Sequence, residues 1–283
     1  KIINDSKADM VVAFGESTSI YSIFSKFFTG KKTTVCIRQD PNGVNKYIIF
    51  LVKIFYSFAD LLILQTKHQK NWSDERWPNL PKKILNNPLI FNQKINLYSE
   101  KNSSIDFLFP ATIKWEKNHD DLILAFNKIK NKLPKDVKMY FAGRFFTKEI
   151  AESITSLIND LNLTDRIVIM GNVEDIESVY KKTKIFVMSS TNEGMPNALL
   201  EAMSFGIPCV STAWPGVDDI IQHNKDGLIA PMRNSEELSN HMLKLYNDFE
   251  LRKKMGNQAF LKIQKNYNTE IVSKKWLDAL SEV

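Results

Sequence analysis

The sequence predicts an α/β protein made of two doubly wound parallel-sheet domains. Three observations carry that prediction. Short apolar runs of buried-strand length alternate with helix-like segments along the whole chain, which implies parallel sheets covered by helices on both faces. A polar stretch without a strong period, residues 91–104, rich in Asn, Lys and Ser, interrupts the alternation, and a clean restart follows at Ile105. The length of 283 residues suffices for two ordinary domains.

In the first domain a strand is expected at 9–14, a helix at 19–28 and a strand at 33–37. Turn residues 39–43 lead into the most hydrophobic stretch, residues 47–64. It has the length of a short membrane span, but Lys53 and Asp60 interrupt it. It reads instead as a helix to about Ser57 and a buried strand at 59–64. A helix start at 66–72 and a last strand at 82–88 complete the domain. After Ile105, strands are expected at 105–109, 137–142, 166–170, 184–188 and 207–211. Helices are expected at 119–132, 150–161, 175–181 and 197–204, with a short one from Val217. Residues 226–229 read as hairpin-like, and helices at 235–247, 250–265 and 269–280 close the chain. In doubly wound sheets ligands bind at the carboxyl ends of strands, where every polar motif below falls.

Composition narrows the function classes. An apolar fraction of 43% and a charged fraction of 25% are ordinary for a globular protein and exclude a disordered one. The net charge of +6 and pI near 9.0 suit an anionic ligand, an anionic membrane surface or nucleic acid. The basic residues are dispersed, which argues against nucleic acid. Cys36 and Cys209 lie far apart in apolar runs, so no disulfide framework is expected and a reducing compartment is the default. Without C-x-x-C or H-E-x-x-H, and with four scattered histidines, a His/Cys metal site is not expected. No cleavable signal sequence is visible. No G-x-G-x-x-G follows a strand, which argues against a nicotinamide dehydrogenase.

Candidate chemistry concentrates after the apolar run Lys184-Ile185-Phe186-Val187-Met188, in the segment from Ser189 to Gly206. Pro196 suits a first helical position, where its missing N–H would have no partner. Gly206 stops the helix, where a positive φ is wanted. The unit is strand, polar loop, helix. It leaves Glu193 on the loop and backbone N–H groups between Gly194 and Asn197 at a helix N-terminus, an anion-attracting end. Glu201 follows Glu193 by eight residues, inside the helix. Taken alone, the pair also fits a surface loop Glu and a solvated helix Glu.

With EG-P-N-LLEA-----G-PC-V around them, Glu193 and Glu201 resemble the E-x7-E motif of retaining glycosyltransferases of the GT-B fold, and the wording around them resembles glycosyltransferase family 4. The resemblance covers nearly all of the chain and is strongest over 105–265; earlier it includes Ala59 to Thr66 and Asn87-Pro88. It implies a partial N-terminal acceptor-side domain at 1–102, a nucleotide-sugar-binding domain at 103–266, and a last helix, 267–283, crossing back to the first domain with Trp276 as candidate anchor. Family members carry several more βα units and a glycine-rich loop ahead of the 9–14 strand, so the first domain is expected to be truncated.

The resemblance also implies roles. Lys117 aligns with the lysine that holds the donor diphosphate, while the arginine five or six positions earlier is replaced by Ala111 or Thr112. Arg144, just beyond a strand end, is the candidate for the missing positive charge, since a guanidinium binds phosphate bidentately. Gly171, Asn172 and Val173 would hold the base, and Glu201 would accept from the ribose hydroxyls. Glu193 would bind donor-sugar hydroxyls near the anomeric centre. Gly194, Met195, Pro196 and Asn197 would meet the sugar and distal phosphate, with Gly194 allowing close approach. His119 is expected to cap or support the Lys117 loop rather than act as a base.

The reaction implied is retaining transfer from a nucleotide-diphosphate sugar, a UDP-sugar being favoured, with no cofactor and no divalent metal, because fixed charges stabilise the leaving group. The acceptor would be a saccharide or a polyprenyl-diphosphate-linked one, in bacterial surface polysaccharide or glycoconjugate synthesis. A cytoplasmic location is expected. Phe24, Lys26, Phe27, Phe28, Lys31 and Lys32 leave room for peripheral contact with the inner membrane. Two alternatives stay open: a non-catalytic nucleotide-sugar-binding subunit, and a GT-B epimerase or phosphorylase.

Overall fold

The computed structural model describes residues 3, 6–40, 43–89, 99 and 103–283. Most of the expected linker at 91–104, and Pro41 and Asn42 of the expected turn, lie outside them. The chain divides into two units. One comprises Lys1–Pro88, Asn192–Met195 and Thr269–Val283, the other Leu89–Thr191 and Pro196–Asn268.

The first unit holds a parallel sheet in the order β1-β2-β3-β4. Its elements are β1 (Met10–Phe14), α1 (Glu16–Thr29), β2 (Lys32–Cys36), α2 (Lys46–Phe55), β3 (Leu61–Leu64), α3 (Lys67–Asp74) and β4 (Lys82–Ile84). All four residues of β3 are buried, as a strand covered on both faces requires. The Asn45 side chain caps α2 by accepting from Tyr47 N, and the helix tightens into a 3-10 turn at Tyr56–Phe58. The long apolar run is therefore a helix followed by a buried strand. Among the described residues no helix is long and apolar enough to cross a membrane.

Asp60 joins two elements of this unit. It accepts from Thr33 N at 2.7 Å and from Lys26 Nζ at 2.7 Å. Thr66 caps α3 by accepting from Gln69 N at 3.2 Å. The final helix, α10 (Thr269–Ser281), belongs to this unit, and Trp276 Nε1 donates to Asn86 O at 2.9 Å.

The second unit holds a six-stranded parallel sheet in the order β10-β9-β8-β5-β6-β7. The elements run β5 (Ile105–Phe109), α4 (His119–Ile129), β6 (Met139–Phe141), α5 (Lys148–Asp160), β7 (Ile167–Ile169), α6 (Ile176–Lys181), β8 (Thr183–Met188) and α7 (Asn197–Ser204). Then come β9 (Cys209–Thr212), β10 (Leu228–Ala230), α8 (Ser235–Asn247) and α9 (Phe249–Asn266). From β5 the chain steps outward to β7, returns to β8 beside β5, and steps outward the other way. The loops after β5 and β8 diverge there, at the kind of switch point where doubly wound sheets bind ligands.

Two local expectations are corrected. Residues 226–229 do not form a hairpin: Leu228 pairs with Val210 in a parallel ladder between β10 and β9. The Asp226-Gly227 signal serves a closed turn ahead of the strand, in which Asn224 N donates to Gly227 O at 2.9 Å and Gln222 N to Asp226 Oδ1 at 2.7 Å. Pro196 is the N-cap of α7 and not its first helical residue, with φ −72° and an extended ψ of 110°. Its carbonyl still accepts from Leu199 N at 3.2 Å. Gly206 stops the helix with φ 70°, as its position suggests.

Candidate functional site

At the carboxyl ends of β5, β6 and β7 the second unit opens a cavity of about 270 Å³. Pro110, Ala111 and Thr112 line it from the loop after β5, Ala142 and Gly143 from the loop after β6, and Asn172 and Val173 from the loop after β7; Ile176 and Tyr180 of α6 and Ala198 and Glu201 of α7 complete it. The loops after β5 and β6 are tied together, Ile113 N donating to Arg144 O and Phe146 N to Ile113 O, both at 2.9 Å. That approach demands glycine at 143, because a Cβ there would lie 1.9 Å from Ala111 O. Gly171, with φ 67°, turns the chain out of β7 toward the cavity-lining Asn172.

Glu201 is half-buried on the cavity wall, and its Oε2 accepts from the Tyr180 hydroxyl at 2.9 Å. Burial raises its pKa above the ordinary glutamate value, and the Tyr180 hydrogen bond opposes that rise. Tyr180 is itself fixed, its ring stacked on Phe205 at 5.5 Å between centroids and its hydroxyl 3.3 Å from Ala198 O. One carboxylate oxygen is thus held by the protein, on the wall of a cavity whose other polar side chains are Thr112 and Asn172. Sequence reasoning found Glu201, Asn172 and Val173 but missed Tyr180 and Gly143. The signal for Gly143 was an Ala-Gly pair directly after a strand; Tyr180 gave none, because its hydrogen bond crosses between helices.

Lys117 ends a 3-10 turn, Trp115–Lys117, outside that cavity's lining. The turn is latched to the end of β8: Ser189 Oγ donates to Lys117 O and Thr191 N to Glu116 O, each at 2.9 Å. Arg144 is exposed, and among the described residues it has no ion pair. His119 departs from expectation. Its ring makes no hydrogen bond to the Lys117 loop; it stacks on Phe109 at 4.7 Å and meets Phe141 edge-on at 4.9 Å. At 1% exposure it is a core residue, and burial, aided by the Lys117 charge, lowers its pKa to about 3. An imidazole this weakly basic and this enclosed is unsuited to act as a general base.

Glu193, Gly194 and Met195 fall within the first unit. Glu193 is partly exposed. Gly194 is buried, and a Cβ on it would lie 2.1 Å from Arg38 O and 2.8 Å from Gln65 Oε1, so the missing side chain answers a protein contact. Met195 Sδ accepts from Asn86 Nδ2 at 3.6 Å. The structure brings Glu201, Asn172 and Val173 to one cavity, and places Pro196 and the exposed Asn197 at the start of the helix that carries Glu201. Both cysteines are free and buried. Among the described residues no group of three or more His, Cys, Asp or Glu is placed to share a cation.

Comparison with known proteins adds to this geometry. The family model described as "Glycosyl transferases group 1" matches residues 92–262, more than half of the chain. A Campylobacter jejuni GalNAc-α-(1→4)-GalNAc-α-(1→3)-diNAcBac-PP-undecaprenol α-1,4-N-acetyl-D-galactosaminyltransferase is 25% identical over 287 residues, covering 100% of this chain and 77% of the relative. The amylovoran biosynthesis glycosyltransferase AmsD of Erwinia amylovora is 22% identical, over 96% of this chain and 77% of its own length. Among solved structures, Anabaena HepE in complex with UDP has a TM-score of 0.85 at 17% identity, covering 98% of this chain and 79% of that one. This likeness shows a shared GT-B architecture, two parallel-sheet α/β domains.

Proposed function

We propose that this chain, which belongs to the glycosyl transferases group 1 family, moves a sugar from a nucleotide-diphosphate sugar to a saccharide or polyprenyl-diphosphate-linked acceptor in bacterial glycoconjugate synthesis, with retention of anomeric configuration. The observation that carries the reading is Glu201, held by Tyr180 on the wall of the cavity at the ends of β5 to β7. A carboxylate there accepts the two ribose hydroxyls in charge-assisted hydrogen bonds. Backbone groups of Gly171, Asn172 and Val173 take the base, and UDP is the favoured nucleotide. The relative from Campylobacter jejuni, named for an undecaprenol-linked acceptor, supports the acceptor class, and the UDP bound to Anabaena HepE supports the nucleotide.

The remaining residues serve the departing diphosphate and the sugar. Lys117 and Arg144 supply positive charge, and the N-terminus of α7 with Asn197 adds backbone dipoles. Glu193, with Gly194, Met195 and Pro196, contacts the donor sugar. Negative charge builds on the leaving diphosphate as positive charge builds on the ring, so fixed cations lower the barrier without a divalent metal. The leaving phosphate oxygen takes the acceptor's proton. The exposed aromatic edge of α1, at Phe24, Phe27 and Phe28, meets the cytoplasmic face of the membrane.

A specific observation favours one rival, a non-catalytic nucleotide-sugar-binding subunit: Ala111 and Thr112, in the cavity wall, stand where the family's arginine is expected. One experiment separates the two. The chain is screened by thermal shift against UDP-, GDP- and ADP-sugars, and the stabilising donor is then incubated with acceptors while release of nucleotide diphosphate is followed. Stabilisation with turnover and an α-linked product from an α-donor supports retaining transfer. Stabilisation without turnover favours the binding subunit. No stabilisation by any donor, with Glu201→Ala indistinguishable from the parent, would sink both.

A further inference from the structure

The first unit holds a cavity of about 390 Å³, none of whose lining residues is assigned to the donor. Lys46, Ile49, Phe50 and Lys53 line it from α2, Trp72 from α3 and Arg76 from the turn after α3. The lining carries three cations and no carboxylate. Positions 46, 49, 50 and 53 follow i, i+3, i+4 and i+7 spacing, so they form a single stripe of the helix.

Two of the cations have no use within the fold. The ammonium groups of Lys46 and Lys53 are exposed and make no hydrogen bond or ion pair among the described residues. Lys46 stands in the first turn of α2, where a cation opposes the helix dipole and no acid balances it. Helix stability therefore does not account for it. Arg76 is fixed in place: its guanidinium lies 4.1 Å from the Trp72 ring centroid and donates to Trp72 O at 2.6 Å. Glu75 approaches Arg76 at 3.4 Å but is itself exposed and lies outside the lining. A second stripe of α2 borders the cavity. Tyr47, Phe50, Leu51 and Ile54 repeat at helical spacing and all four are exposed, Tyr47 at 84%. The stripe continues into Phe58, whose ring meets Phe27 of α1 at 5.3 Å. Two helices thus share one apolar face with uncommitted lysines beside it.

This combination discriminates among partners. A soluble anion, whether inorganic phosphate or a nucleotide, would answer the cations and leave the apolar stripe in water. An apolar protein surface would cover the stripe and strand the cations. A second copy of the chain, meeting this face across a two-fold axis, would bring like charges together. An anionic lipid surface meets both demands, with phosphates for the cations and acyl chains for the rings.

We propose that α2 lies in the surface of an anionic membrane, with lipid headgroup phosphates held at the cavity by Lys46, Lys53 and Arg76. The stripe from Tyr47 to Ile54 then sits among the upper acyl chains. The inference extends the membrane contact proposed for α1 and rests on different residues. It supplies the charge contact that α1 lacks, since Lys26 and Lys32 are paired with Asp60. It requires neither donor nor acceptor.

Co-sedimentation of the full chain with phosphatidylcholine vesicles, with and without phosphatidylglycerol, tests this. The chain should bind vesicles that contain phosphatidylglycerol and not those of phosphatidylcholine alone. Lys46→Gln with Lys53→Gln should weaken binding about 30-fold at unchanged melting temperature. Leu51→Ser with Ile54→Ser should weaken it severalfold. Lys253→Gln with Lys254→Gln, the same charge change on exposed residues of α9, should bind as the parent does. Dihexanoyl-phosphatidylglycerol, kept monomeric, should show saturation transfer from the protein that the α2 lysine change abolishes. Binding that ignores phosphatidylglycerol, survives the α2 lysine change or falls equally in the α9 control would each overturn the proposal, as would absence of transfer to the monomeric lipid. A concentration-dependent dimer that Leu51→Ser with Ile54→Ser disperses would overturn it in favour of a second copy. If Phe24→Ser with Phe28→Ser weakens binding and the α2 variants do not, the α1 contact stands and this inference falls. Donor-induced stabilisation, measured without vesicles, decides the transferase reading separately.

Discussion

On the proposed reading, Tyr180 and Glu201 should set the acid limit of nucleotide binding. Burial holds the Glu201 carboxyl above its ordinary pKa, and the Tyr180 hydrogen bond pulls it back. Glu201→Gln keeps the shape and removes the charge, so UDP affinity should fall about 10–100-fold, the equivalent of about 1.5–3 kcal/mol, by titration calorimetry. Tyr180→Phe removes the opposing hydrogen bond, so Glu201 should protonate at higher pH. UDP affinity should then fall off on acidification at a higher pH than in the parent; an unmoved acid limb would show that Glu201 does not bind the ribose. His119 makes the complementary case for stability. Its pKa is 6.5 in the unfolded chain and about 3 in the fold, so the unfolded state binds the extra proton. The stability tied to its neutral form is present above pH 6.5 and is lost as pH falls toward 3. Between pH 7 and pH 5 that linkage is about 2 kcal/mol. His119→Leu should lose about that much less than the parent over this interval in denaturant titrations, and equal losses would contradict the assignment.

At the scale of elements, what was legible in the sequence was what local chemistry decides. Strand β5 and helix α7 fall at the expected residues, because apolar runs, Pro196 and Gly206 act within a few positions. The parallel entry of β10 was not legible, since Asp226-Gly227 carries the same local signal whether the chain turns back on itself or returns to a distant strand. The enclosure of His119 depends on rings from β5 and β6 and leaves no local trace; the need for Gly143 depends on the loop after β5, and its only local trace is an Ala-Gly pair after a strand. Gly143→Ala should therefore be costly beyond helix or strand propensity. Its Cβ would collide with Ala111 O, a backbone atom, so overpacking of about 1–3 kcal/mol and a parallel loss of UDP affinity are expected. Wild-type melting and binding would show that the loops give way freely. The aromatic edge of α1 yields a different expectation. Lys26 is committed to Phe58 O and Asp60, and Lys31 to Ser6 O and Ala8 O, while Phe28 stays 72% exposed. Vesicle contact should thus depend on the rings. Phe24→Ser with Phe28→Ser should reduce co-sedimentation with phosphatidylglycerol vesicles severalfold at unchanged melting temperature, whereas Lys26→Glu should mainly lower that temperature.

At the scale of the whole molecule, two parallel sheets divide the proposed work between separate stretches of sequence. The residues assigned to the nucleotide, at 110–112, 142–143, 171–180 and 198–201, all belong to the second unit. Of those assigned to the sugar, Glu193, Gly194 and Met195 cluster with the first unit and Pro196 with the second. A ligand that carries only the nucleotide should therefore leave a different footprint from one that also carries the sugar. Hydrogen exchange reads this directly, because a bound ligand raises the free energy of local opening where it contacts the chain. UDP alone should slow exchange in the four nucleotide stretches and leave 192–195 as in the free protein. The matching UDP-sugar should add protection at 192–197 on top of that pattern. Glu201→Gln should weaken the first effect and with it the second, while Glu193→Gln should abolish only the second. Identical footprints for the two ligands would remove Glu193 and its neighbours from the donor-sugar site. Protection that avoids 198–201 would remove Glu201 from the ribose, and with it the observation on which the transferase reading rests.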